Sequence, residues 1–109
     1  MELRFDPEST RLLHEPARLM IMTVLGACQS ADFVFLQRAT GLTKGNLSSH
    51  LSRLEEAGYV QITKQFIGKL PNTQIGLTEA GRAALEQHWK QLDDLRRQGD
   101  QLRQQQAKG

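Results

Sequence analysis

Between Gly41 and Val60 the chain reads GLTKGNLSSHLSRLEEAGYV. Leu47, Leu51 and Leu54 recur at helical spacing and fall within roughly 60° of one another around a helix axis. The other side of that helix carries Gly45, Ser49, Ser52 and, at its far end, Glu56, flanked by Lys44, Ser48 and Arg53. A helix that only had to be soluble would carry Glu and Lys there, because Ser and Gly are poorer helix formers. Short hydroxyls, one glycine and two cations instead leave a face that can lie close against a hydrogen-bonding partner. Thr43 is placed to cap the helix, and the first-turn N–H groups of Lys44 and Gly45 sit at its positive end, a ready anion site.

A second signal is one of charge. From Val60 to Leu77 the only charges are Lys64 and Lys69, both positive. Cations with no acid beside them suit a phosphate-facing surface. The whole-chain balance, a formal net charge of +2 and a pI of about 9.0, is too weak to carry that reading alone. Catalysis has no comparable signature. His14, His50 and His88 have no nucleophile at a recognisable spacing, and no phosphate-binding glycine loop or paired-carboxylate motif occurs. An enzyme is not expected, and no cofactor is implied. Cys28 is the only cysteine, so there is neither an intrachain disulfide nor a Cys-rich zinc site. It is expected as a small core residue.

The elements that must position these residues follow from periodicity and punctuation. A chain of 109 residues points to one domain with a modest core. Asp6 and Pro7 open a first short helix, and Pro16 opens a second, apolar on most sides. Together these N-terminal helices span residues 7–30. Asp32 is a candidate cap for FVFLQRAT, with a short strand just before it, and Gly41 closes that helix. With the Lys44–Ala57 helix this gives a helix-turn-helix over residues 32–57. YVQITKQF reads as a strand, IGKLPNTQ as a turn and TQIGLT as a returning strand. This hairpin, residues 59–77, forms a wing. Thr78 caps a final helix over residues 78–103, and the Gln-rich tail from Gln104 is expected to fray. MELRFDPE is charged and has no apolar signal-peptide region. The longest uncharged apolar run, Leu19 to Cys28, falls well short of the ~20 residues a membrane span needs. A cytoplasmic protein is expected.

The final helix presents Leu85, Trp89, Leu92, Leu95 and Leu102 in a heptad-like seam. No further element remains in the chain to cover that seam along its length. Leu12, Leu19 and Met22 offer a second apolar stripe near the start. The expected use of both is a homodimer interface, with Trp89 as an anchor. Met20 and Met22 are equally suited to filling a core.

HEPARLMIMTVL, FLQRATGLTKGNLSSHLSRLEEAGYV and LTEAGRAAL together resemble the small winged-helix transcriptional regulators of the ArsR/MarR type. The resemblance covers roughly residues 12 to 87, and NLSSHLSRLEEAGYV followed by a hairpin and LTEAGR is its most specific part. It implies a mainly α fold with a small β-hairpin, a winged helix-turn-helix with N- and C-terminal dimerisation helices. It also implies a dimeric, sequence-specific binder of double-stranded DNA that reads a pseudo-palindromic operator. The Thr43–Ala57 helix would be the recognition helix and the Lys64–Thr73 hairpin the wing. On that footing Thr43, Lys44, Gly45, Asn46, Ser48, Ser49, Ser52 and Arg53 face the major groove. Asn46 suits adenine, and Arg53 suits guanine or phosphate. Lys64, Lys69 and Thr73 face the backbone. Metal-sensing ArsR proteins carry a cysteine-containing motif where this chain reads VFLQRATG, so no metal site is expected. The alternative is a winged helix that serves only as a protein-interaction module. The operator, the direction of regulation, the existence of a small-molecule effector and the role of His50, structural or DNA-contacting, are left open by the sequence.

Overall fold

Every helix begins at a residue whose side chain accepts a first-turn amide. In the computed structural model, which describes residues 2–108, Asp6 accepts from Glu8 N and Glu15 from Arg18 N, both at 3.0 Å. Asp32 accepts from Phe35 N at 2.7 Å, Thr43 from Asn46 N at 3.1 Å and Thr78 from Gly81 N at 3.0 Å. Each cap satisfies a donor that the helix itself leaves open. The elements are α1 (Pro7–His14), α2 (Pro16–Gly26), β1 (Ala31–Asp32), α3 (Phe33–Thr40), α4 (Lys44–Glu56), β2 (Val60–Ile67), β3 (Leu70–Leu77) and α5 (Glu79–Lys108). Gly41, at φ 72°, ends α3 in the left-handed conformation, and its amide donates back to Gln37 O at 2.9 Å. The helix-turn-helix bend is thereby fixed in a few residues.

The three strands form one antiparallel sheet in the order β1-β3-β2. β2 and β3 pair from Val60↔Leu77 to Ile67↔Leu70, while β1 covers only Gln74 and Ile75 of β3. The expected eight-residue turn is therefore mostly strand. The loop is Gly68 and Lys69 alone, with positive φ (64°) at Gly68 only, the pattern of a type II′ hairpin. Pro71 is tolerated inside β3 because β1 does not reach it, so no second ladder requires its missing N–H.

Leu13, Ile21, Met22, Leu25, Leu36, Leu47, Leu51, Leu54, Val60, Ile75 and Leu85 make the core. This corrects two residues of the expected interface. Met22 is 0% exposed and Leu85 6%, both inside the chain's own core. Leu12 and Leu19 are half-buried against the same core.

α5 runs 30 residues, about 45 Å of helix. Its buried residues, Gly81, Leu85 and His88, all lie in the first third. The rest projects, and the molecule measures 69 × 24 × 21 Å. The helix continues through the Gln-rich tail to Lys108, beyond the fraying point expected from composition. Arg4 braces its distal half: Arg4 N donates to Gln98 Oε1 at 2.5 Å and Gln98 Nε2 donates to Arg4 O at 2.9 Å. Among the described residues, no helix is long and apolar enough to cross a membrane.

Candidate nucleic-acid interface

The α4 leucines decide what α4 shows to solvent. Leu47, Leu51 and Leu54 are at most 2% exposed, and helical geometry then turns Gly45, Ser49, Ser52 and Arg53 outward. Between α4 and the hairpin lies an open cleft of about 760 Å³. Lys44, Ser48 and Ser52 line it from α4, and Lys64 and Thr73 from the hairpin. These five residues, 29 positions apart at the extremes in sequence (44 to 73), meet around one space. Lys64 and Thr73 are register partners, so they stand side by side on the hairpin face turned to α4.

The other sequence-derived candidates lie outside this cleft. Thr43 spends its hydroxyl on the Asn46 amide. Gly45, Asn46, Ser49 and Arg53 are exposed on the outward side and far flank of α4, and Lys69 is exposed in the hairpin loop. An added Cβ at Gly45 would meet nothing within 4 Å, so no contact inside the chain requires glycine there. Its absence of a side chain is free to serve an approaching partner.

The field in the cleft is graded. Lys44 stands at the N-terminal end of α4, beside first-turn amides that have no intrahelical acceptor. Glu55 lines the other end, about 16 Å along the helix. Asp32 also lines the cleft, but its carboxylate caps α3. An anion is therefore favoured at the Lys44 and Lys64 end. Asn72 was not foreseen from the sequence. Its Oδ1 accepts from Gln65 Nε2 at 3.2 Å and Gln74 Nε2 at 2.9 Å, a small amide network on the hairpin face opposite Lys64 and Thr73.

His50 points the other way. Its Nδ1 lies 3.4 Å from an Arg18 guanidinium nitrogen and its Nε2 lies 3.9 Å from Glu15 Oε2. Arg18 Nε also donates to Leu12 O at 2.6 Å. One network thus joins the end of α1, the start of α2 and the middle of α4. Burial works against the Glu15 carboxylate. The amides of Arg18 and Ala17, with the charges of His50 and Arg18, nonetheless hold its pKa below the ordinary value. A second histidine was also missed as special. His88 is 1% exposed, neither ring nitrogen has a hydrogen-bond partner, and its ring lies 5.9 Å from that of His14. Burial, then the neighbouring His14 charge, pushes its pKa down.

Among the described residues, no group of three or more His, Cys, Asp or Glu is placed to hold a metal ion.

A profile of the family described as "winged helix DNA-binding domain" matches residues 17–95. An uncharacterised protein of Methanocaldococcus jannaschii is 32% identical over 78 residues, covering 72% of this chain and 85% of that protein. The structure of a transcriptional regulator homologue from Pyrococcus horikoshii is 33% identical, with a TM-score of 0.71 over 85% of this chain and 89% of that one. A mutant of E. coli MarR, solved in complex with operator DNA, shares the fold at 24% identity, with a TM-score of 0.65 over 84% of this chain and 71% of that one.

Proposed function

Since the chain belongs to the winged-helix DNA-binding domain family, whose solved relatives include transcriptional regulators, we propose that it is a homodimeric, sequence-specific regulator of transcription. In this reading α4 enters the major groove of double-stranded DNA and the hairpin rides on the phosphate backbone. The observation that carries it is the cleft in which Lys44, Ser48 and Ser52 face Lys64 and Thr73. Around it, Gly45 lets phosphate or a base edge approach the backbone, and Arg53, Asn46 and Ser49 are exposed side chains able to reach base edges.

A two-fold dimer would present two α4 helices at half-sites about one helical turn (~10 bp) or a multiple of it apart. The surface available for that contact is revised by the core. With Met22 and Leu85 occupied, it comprises Leu19, Trp89, Leu92, Leu95 and Leu102, with Leu12 at its margin. Leu19 and Trp89 border an apolar groove of about 420 Å³ that also includes Met20 and Val24. No described residue of α5 beyond His88 is fully buried within its own chain, which supports a second copy as its partner.

The test is duplex binding at several salt concentrations. Neutralising several phosphates per dimer should make log K fall steeply and linearly with log salt. A winged helix that binds only proteins would show weak duplex binding without preference among sequences. Fragments selected from the source genome should enrich one pseudo-palindrome.

A further inference from the structure

The hairpin tip is apolar on both faces. Phe66, Ile67 and Leu70 are 73%, 62% and 72% exposed, the three most exposed large apolar side chains of the described residues, and they are clustered at one tip. Phe66 shares the cleft-facing side with Lys64, two residues before it, and Pro71 is its register partner. Ile67 and Leu70 flank the two-residue loop. No inward role accounts for them: the sheet's third strand ends at Gln74, and beyond it the hairpin is a bare two-stranded ribbon. A solvated hairpin tip of this kind would be expected to carry polar or charged residues.

Charge identifies the partner. Between Gly58 and Thr78 the chain has no acidic residue; Lys64 precedes the tip and Lys69 lies in its loop. The partner is therefore anionic and has apolar surface at a depth that a single loop can reach. The minor groove of duplex DNA fits both requirements: phosphates line its edges, sugars line its walls and base steps form its floor. The tip is also continuous with the cleft surface already assigned to DNA, through Lys64 and Thr73 on the same hairpin.

From this we infer that the wing tip is an apolar wedge: Phe66, Ile67 and Leu70 enter the minor groove beside each half-site, loosen a base step and bend the duplex. The inference rests on the DNA-binding reading above. The wedge adds a preference that no hydrogen bond to a base edge supplies, because flexible pyrimidine–purine steps are the easiest to unstack. Sequence preference should therefore extend past the bases that α4 can reach.

The test compares the full-length protein with a variant carrying F66S, I67S and L70S. All three side chains are exposed, so the fold should be kept, and circular dichroism checks this. The probe is the duplex enriched by the wild-type chain, end-labelled for energy transfer. A fluorescent adenine analogue is placed at the flanking steps. The wild type should bend the duplex and brighten the analogue. The variant should lose both signals and bind roughly tenfold more weakly with the salt slope unchanged. Wild-type affinity and bending retained in the variant would overturn the wedge while leaving DNA binding intact. Absence of salt-dependent duplex binding by the wild type would overturn both. A third arm uses vesicles of phosphatidylglycerol. Wild-type binding to these that the variant loses, with DNA bending unaffected, would assign the tip to a lipid surface and also overturn the wedge.

Discussion

A Cβ placed on Gly81 would lie 1.9 Å from the backbone carbonyl oxygen of Tyr59. The same carbonyl accepts the Thr78 amide at 3.1 Å, and Thr78 Oγ1 reaches Gly58 O at 2.6 Å. The first turn of α5 is thus clamped onto the short segment that joins α4 to the hairpin. This clamp relates the helix that projects from the domain to the two elements that line the cleft.

Gly81→Ala should break that contact. The obstacle is backbone, so no side chain can swing aside, and α5 must shift as a body. Overpacking of this kind costs about 3 kcal/mol or more. Denaturant unfolding should show the loss. Stability within about 0.5 kcal/mol of wild type, the range expected for a neutral surface change, would mean that the close approach relaxes freely.

Gly45→Ala should do the opposite to stability. The site is open and lies in the first helical turn, so alanine should add stability by propensity, though less than the roughly 1 kcal/mol of a helix interior. If backbone approach is what glycine serves, the stabilised variant should bind duplex DNA more weakly. Improved stability with unchanged affinity would remove Gly45 from the interface.

Arg53 and Lys69 should fail differently. Arg53→Ala should cost about 1–3 kcal/mol on the selected operator and relax the preference at one position per half-site. Lys69→Ala should weaken all duplexes alike and lower the salt slope by about one phosphate contact. A preference that shifts on losing Lys69, or survives intact on losing Arg53, would reverse these roles.

His88 should make the fold acid-sensitive. Its pKa is lower in the folded chain than in the unfolded one, chiefly through burial and next through His14. The unfolded state therefore binds more protons near and below the ordinary histidine pKa of about 6.5. The stability that neutral His88 supports is complete above that value. It declines as pH falls below it and levels off once the folded-state pKa is passed. Urea midpoints measured across this range should fall toward acid in the wild type and fall less in His88→Leu. Identical pH profiles for the two proteins would place the acid sensitivity elsewhere.

Leu92→Asp tests the proposed dimer. Leu92 is only partly exposed in one chain, so circular dichroism should check that the helix is kept; an interface would acquire an unpaired carboxylate. Light scattering should give a dimer mass for the wild type and a monomer mass for the variant, with operator binding lost. A wild-type monomer that still binds its operator tightly would dismiss the dimer.

Much of this fold could be read from local chemistry. The caps at Asp6, Asp32, Thr43 and Thr78, the left-handed Gly41 and the Leu47, Leu51 and Leu54 stripe depend on residues within a turn or two of each other. Neighbouring residues are enough to specify such features. The small polar face of α4 follows from the same stripe, because burying one side of a helix exposes the other. Distant contacts decided the rest. Periodicity marks Met22 and Leu85 as belonging to an apolar face, but not whether that face meets its own domain or a second copy. Packing of α2 and α5 around one core assigned them inward. The meeting of Ser48 and Ser52 with Lys64 and Thr73 depends on the angle between α4 and the hairpin, set by the pairing of β1 with β3 and the burial of Val60 and Ile75. In one dimension Gly81 is a helix defect and His88 a polar interruption of a leucine seam. The carbonyl of Tyr59 and the absence of any partner for a buried imidazole gave them their meaning, and both are properties of space between segments that are far apart in the chain.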